Sequence, residues 1–154
     1  MDTMIDTRTL RLVRVFDAPR DRVFAAWTDP GQFVRWMCPP GFRLDACVLD
    51  ARTGGAWRVH GYKPGGEAFA KSGVYVEVKR PELVIFTWAH HAEDNHVSAR
   101  GHETTVRVEL RAIGNKTELT LAQGPFLDAP DLDGHTAGWQ GCFDKLTSFI
   151  GSAS

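Results

Sequence analysis

From residue 42 to 124 the chain alternates apolar and polar residues with a period of two, and the alternation breaks wherever glycine or proline clusters. Six strands are predicted: FRLDACVLD (42–50), GGAWRVHGY (54–62), EAFAKSGVYVEVK (67–79), PELVIFTWAHH (81–91), HETTVRVELRA (102–112) and NKTELTLAQG (115–124). Gly54-Gly55, Pro64-Gly65-Gly66 and Gly114-Asn115 supply the turns, so the strands run antiparallel. Val106, Val108 and Leu110 point one way and Arg107, Glu109 and Arg111 the other, which predicts one covered and one wet face. In PELVIFTW both phases are apolar, Val84, Phe86 and Trp88 against Leu83, Ile85 and Thr87, so the outer phase is expected to meet a partner subunit or the short helices.

RTLRLVRVF (8–16) predicts a first strand, with Leu10, Leu12 and Arg14 on one phase and Arg11, Val13 and Val15 on the other. DAPRDRVFAAWT (17–28) predicts a helix of about two turns, in which Pro19 is tolerated at the start and Asp21 lies near the positive end. A second short helix starts at Asp29-Pro30, carries Phe33 and Trp36 on one face, and stops at CPPG. DLDGHTAGWQGCFDKLTSFIGS (131–152) spaces Trp139, Phe143, Leu146 and Ile150 by four, three and four, a helical face that covers the sheet. Asp131 or Asp133 is the expected cap, Gly151 the expected left-handed stop, and Gly134, Gly138 and Gly141 are expected at close packing. The layout is α+β.

Eighteen basic against 19 acidic residues give a net charge of −1, so no long-range field favours nucleic acid as a partner. Cys38, Cys47 and Cys142 form no CxxC and are odd in number, which fits a reducing compartment. No run of about 18 apolar residues occurs and MDTMIDTRTL lacks an apolar signal core, so a cytoplasmic protein without membrane insertion is expected.

The stretch RVFDAPRDRVFAAWTDPGQFVRWMCPPGF (14–42), the GG-W-R element at Gly54, Gly55, Trp57 and Arg58, SGVYVEVKRPELVIFTW (72–88), TELTLAQG (117–124) and HTAGWQGCFDKL (135–146) follow in a recognisable order. The chain resembles the family named after activators of the Hsp90 ATPase, within the START-like, or polyketide-cyclase-like, superfamily. The resemblance implies a helix-grip fold over residues 1–154 as a single START-like domain: a curved seven-stranded antiparallel sheet wrapped around a long C-terminal helix, with two short helices closing one end. It departs at Met37, where many relatives carry a second tryptophan, and the entrance is expected to differ there. Such relatives include ligand carriers and self-resistance proteins. The chaperone-activating role belongs to larger multidomain members and is not carried over.

A half-barrel gripping a helix leaves concave apolar space, and five tryptophans, two tyrosines and nine phenylalanines are available to line it. The residues expected at a ligand are Trp36, Trp57, Phe69, Tyr75, Phe86, Trp88, Trp139 and Phe143. Ordinary core packing competes for every one of them. Phe16, Phe24 and Trp27 are assigned to the core, while Phe33 and Trp36, beside Pro39-Pro40-Gly41, are placed at the entrance.

His90, His91, Asp94 and His96 match no tight metal spacing and read as a solvated loop, so neither metal nor cofactor is expected. Cys142 reads as a buried hydrophobe and Cys38 as the exposed thiol. No GxSxG element occurs, and the glycine pairs are turns rather than phosphate loops. Glu67, Tyr75, His60 and Glu103 are the acid–base candidates. The favoured reading is a cavity for a small apolar or aromatic molecule. The alternatives are an interaction module, as a homodimer or a chaperone partner, and an acid–base enzyme such as a cyclase or dehydratase using the same cavity.

Overall fold

The computed structural model describes residues 8–92 and 101–152. Strand β1 (Leu10–Phe16) is followed by helices α1 (Arg20–Thr28) and α2 (Pro30–Phe33), then by β2 (Arg43–Leu49), β3 (Ala56–Tyr62), β4 (Ala68–Lys79), β5 (Leu83–Ala92), β6 (Glu103–Ile113) and β7 (Lys116–Gly124). Helix α3 (Ala129–Ser152) comes last. The seven strands form one antiparallel sheet in the order β1-β7-β6-β5-β4-β3-β2, curved around α3. This is the α+β helix-grip arrangement.

Side-chain alternation accounts for the sheet's two faces. On β6, Thr104, Val106, Val108 and Leu110 are buried while the residues between them are exposed. On β1, Leu10 and Phe16 are buried, whereas Val13 and Val15 remain about half exposed at the edge. Ile113 and Lys116 close the β6–β7 hairpin around Gly114-Asn115, with Gly114 at φ +59°, a conformation that costs glycine nothing.

The outward phase of β5 is half-buried at Leu83, Ile85 and Thr87. Ile85 lies between Glu77 and Arg107 in register, and Leu83 between Lys79 and Glu109, so the alkyl stems of charged neighbours flank both. The exposed valines of β1 are separated from Val74 and Val76 on β4 by three strands that carry the ion pairs Arg107–Glu109 and Arg111–Glu118.

Helix α3 buries Trp139, Cys142, Phe143, Leu146 and Ile150 against the concave face. Its start differs from the expectation: the carboxylate of Asp128 accepts the Asp131 N–H at 2.9 Å, and Asp131 itself lies in the first turn. Gly151 stays helical and takes no left-handed conformation. No described helix is long and apolar enough to cross a membrane.

The helices α1 and α2 press an aromatic cluster into one end of the grip. Trp27 meets Trp36 at 4.7 Å, Trp139 at 5.7 Å and nearly parallel, and Phe33, Phe86 and Phe143 at 6.2–6.5 Å. Trp36 is fully buried, and its indole N–H donates to the Ala26 carbonyl at 3.0 Å. Phe33 is buried as well. Neither residue borders an entrance, contrary to the sequence expectation, because α2 turns Phe33, and the turn after it Trp36, back onto Trp27.

Candidate ligand-binding site

The aromatic cluster does not fill the whole space between sheet and helix. Beyond Trp139 a cleft of about 300 Å³ remains. Lys71, Trp88 and His90 form its sheet wall, and Asp131, Gly134, His135, Gly138, Trp139 and Cys142 form its α3 wall. Met37, Pro39 and Phe42, from the link between α2 and β2, border it together with Lys63 and Pro130. An adjoining recess of about 510 Å³ shares Trp88, His90, Asp131 and His135, and extends past His102, Thr104 and Phe126.

Glycines on α3 let the α2–β2 link approach closely. A Cβ on Gly141 would stand 2.9 Å from Pro40, and one on Gly138 3.7 Å from Pro39. The same approach buries Cys38, which is only 3% exposed, with its thiol donating to the Phe42 carbonyl at 3.4 Å and the Lys145 ammonium donating to its carbonyl at 2.9 Å. The exposed thiol expected from the adjacent prolines is therefore corrected. Cys142 is buried as expected, and desolvation pushes its pKa up to about 12, opposed by the charge of Lys71.

Trp139 is fixed by a buried polar relay. Its indole N–H donates to Gln123 Oε1 at 2.7 Å, and Gln123 Nε2 donates to Thr104 Oγ1 at 2.9 Å. Gln123 and Thr104 are both buried, and pairing each polar group inside the core holds the ring in one orientation. One end of the chain of contacts is Trp27 and the other is Trp88, 5.4 Å from Trp139.

Lys71 lines the cleft although it belongs to none of the aromatic positions. It lies on β4 in phase with Phe69, Gly73 and Tyr75, whose inward direction the sequence does indicate. Its ammonium sits 4.8 Å from the Trp88 ring centre and 5.4 Å from that of Phe69. Desolvation holds its pKa below the ordinary lysine value; the nearby thiols of Cys142 and Cys38 oppose that shift, and Lys63 adds to it.

Of the eight aromatic residues expected at a ligand, Trp88 and Trp139 line the cleft. Phe69 is buried behind it, its ring 5.8 Å from Phe42 and parallel to His90 at 6.1 Å. Trp57, Tyr75, Phe86, Phe143 and Trp36 lie within the core cluster. Trp57 meets Phe86 and Trp88 at 5.6 Å, and its indole N–H donates to the Thr87 carbonyl.

The acid–base candidates do not converge. His60 faces outward and bonds Asp45 at 2.6 Å, which lowers the Asp45 pKa; Glu67 is exposed near Lys63, and Glu103 is exposed on β6. Tyr75 is buried against Phe86, and desolvation raises its pKa. The titratable groups that do line the cleft are Lys71, Lys63, His90, Cys142, Asp131 and His135, the last bonding the Asp131 carbonyl at 2.9 Å and lying 3.4 Å from its carboxylate. The side chain of His91 and residues Asp94 and His96 lie outside the described residues. Among the described residues, no three His, Cys, Asp or Glu side chains are grouped to hold a metal.

Solved structures share this architecture. A protein from Silicibacter pomeroyi matches at 28% identity with a TM-score of 0.85, over 95% of this chain and 99% of its own. A protein from Chromobacterium violaceum matches at 27% identity with a TM-score of 0.79, over 91% and 95% of the two chains. A Mycobacterium smegmatis protein, at 21% identity and a TM-score of 0.81 over 99% and 97%, shares the fold. No curated protein matches the chain. The family model described as activator of Hsp90 ATPase homolog 1-like protein matches residues 17–151, nearly all of the helix-grip architecture, and the chain belongs to that family.

Proposed function

We propose that the chain binds a small apolar or aromatic molecule in the cleft between α3 and the β4–β5 wall. The observation that carries this reading is the unfilled space beside Trp88 and Trp139, in a molecule whose remaining helix–sheet interface is packed with rings. Its volume of about 300 Å³ lies at the small end of ligand pockets and suits a molecule of two or three rings or a short acyl chain. A ring entering it replaces water against indole faces, Met37 and Phe42, the type of contact that supplies most of a small ligand's affinity.

The test uses the neutral fluorescent probe N-phenyl-1-naphthylamine. Its emission is expected to rise on titration with the wild-type protein and to saturate. Gly134 lines the cleft on α3, and nothing lies within 4 Å of a Cβ built on it, so Gly134→Phe extends a ring into open space without breaking the helix. Displacing about 60 Å² of apolar contact costs about 1.5 kcal/mol, so probe affinity is expected to fall roughly tenfold. No emission change with the wild type, or equal binding by a folded Gly134→Phe variant, would remove the cleft from consideration.

A further inference from the structure

The cleft's walls are apolar except for a few groups, and those groups are not equivalent. Asp131 and His135 interact with each other on α3. Lys63 stands 3.7 Å from Glu67 at the margin. Lys71 differs: among the described residues no aspartate or glutamate pairs with it, and its ammonium rests over the rings of Trp88 and Phe69.

That placement is costly for a cation. Lys71 is half-buried, and the hydration its ammonium gives up against the cleft wall is replaced only in part by two ring faces. A strand that needed only to pack would carry an apolar residue at this inward position, as it does at Phe69 and Tyr75. A lone ammonium on the wall of an apolar cleft, with no acidic side chain on it, is complementary to an anionic oxygen brought by a ligand.

We infer that Lys71 is the charge anchor of the cleft, and that the molecule bound there is an aromatic or acyl carboxylate whose carboxylate meets the Lys71 ammonium while its apolar body lies against Trp88 and Trp139. This inference rests on the cleft being a binding site. It adds the substrate class and the polarity of the ligand's approach. Asp131 on the facing helix disfavours a carboxylate on its own side, so the ligand's charged end is directed toward β4.

The experiment compares two competitors of the same skeleton, 1-naphthaleneacetate and 2-(1-naphthyl)ethanol, each displacing N-phenyl-1-naphthylamine from the wild type and from Lys71→Met and Lys71→Gln. Both substitutions remove the charge and keep an unbranched chain, and thermal melting reports whether each variant is folded. A charge-assisted bond predicts that the wild type prefers the acid over the alcohol by about tenfold or more. In the variants that preference, read as the ratio of the two competitors on the same protein so that any change in the probe's own affinity cancels, is expected to fall to roughly twofold or less. Equal displacement by acid and alcohol in the wild type, or an acid preference that survives in both folded variants, overturns the inference while leaving the cleft a binding site. Failure of the neutral probe to bind the wild type overturns the cleft reading and this inference with it.

Discussion

Trp36→Ala is expected to destabilise the protein by about 3–5 kcal/mol, a large share of the roughly 5–15 kcal/mol that holds a domain folded. The ring is fully buried at the centre of the α1–α2 packing, touching Trp27 at 4.7 Å and Phe33 at 5.2 Å. Truncation opens a cavity that Trp27 and Phe33 cannot both collapse into, because each is held by other neighbours. It also strips the Ala26 carbonyl of its indole donor. Trp36→Phe keeps much of the volume and loses the hydrogen bond, so about 1–2 kcal/mol is expected. Urea unfolding of the two variants measures both values. Because Trp36 does not line the cleft, the Phe variant should bind N-phenyl-1-naphthylamine as the wild type does; a wild-type-like stability for Trp36→Ala would show that the ring does not have this place in the core.

Gly73→Ala is the second large effect, and its origin is a backbone collision. A Cβ at Gly73 would stand 1.9 Å from the Thr87 carbonyl oxygen and 2.7 Å from the Thr87 hydroxyl. Those two atoms are already engaged, the carbonyl accepting from Trp57 Nε1 at 2.9 Å and the hydroxyl accepting from the Val74 N–H at 2.9 Å. The β4–β5 ladder pairs Ser72 with Ala89 and resumes at Tyr75 with Phe86, and the Trp57 side chain reaches β5 over the glycine between. An added methyl must push the strands apart and break both bonds. The expected cost is about 3 kcal/mol or more, with Tm falling by roughly 6–12 °C. Gly134→Ala is the control, since nothing lies within 4 Å of its Cβ and a helical alanine is favoured over glycine. A Tm for Gly73→Ala within about 2 °C of the wild type would contradict the contact.

The difference between these two glycines shows what was legible in the chain. The strands and α3 follow from periods of two and 3.6, because a face that must be buried imposes its repeat on every residue of an element. Val106, Val108 and Leu110 on β6, and Trp139, Phe143, Leu146 and Ile150 on α3, are buried as their spacing requires. The cleft obeys no such repeat. Trp36 and Trp139 are the same residue type, yet only the second borders empty space, since that depends on how far the α2–β2 link folds across α3. Cys38 is outside the reach of any repeat for the same reason: its burial is decided by Gly138 and Gly141, a hundred residues away. Lys71 was within reach, because it shares a phase with Phe69 and Tyr75, and a charge on an inward phase is the local inconsistency that marks functional positions.

The five indoles form one unbroken series. Trp36 lies 4.7 Å from Trp27, Trp27 5.7 Å from Trp139, Trp139 5.4 Å from Trp88, and Trp88 5.6 Å from Trp57. Excitation absorbed at any one of them is shared with its neighbours before it is emitted, so the protein's ultraviolet glow is a collective property rather than the sum of five isolated dyes. Two members of the series, Trp88 and Trp139, form part of the cleft's wall. Whatever occupies that space touches interior members of the series, coupled to deep rings on both sides, and the molecule thereby carries a built-in optical reporter of occupancy that needs no label.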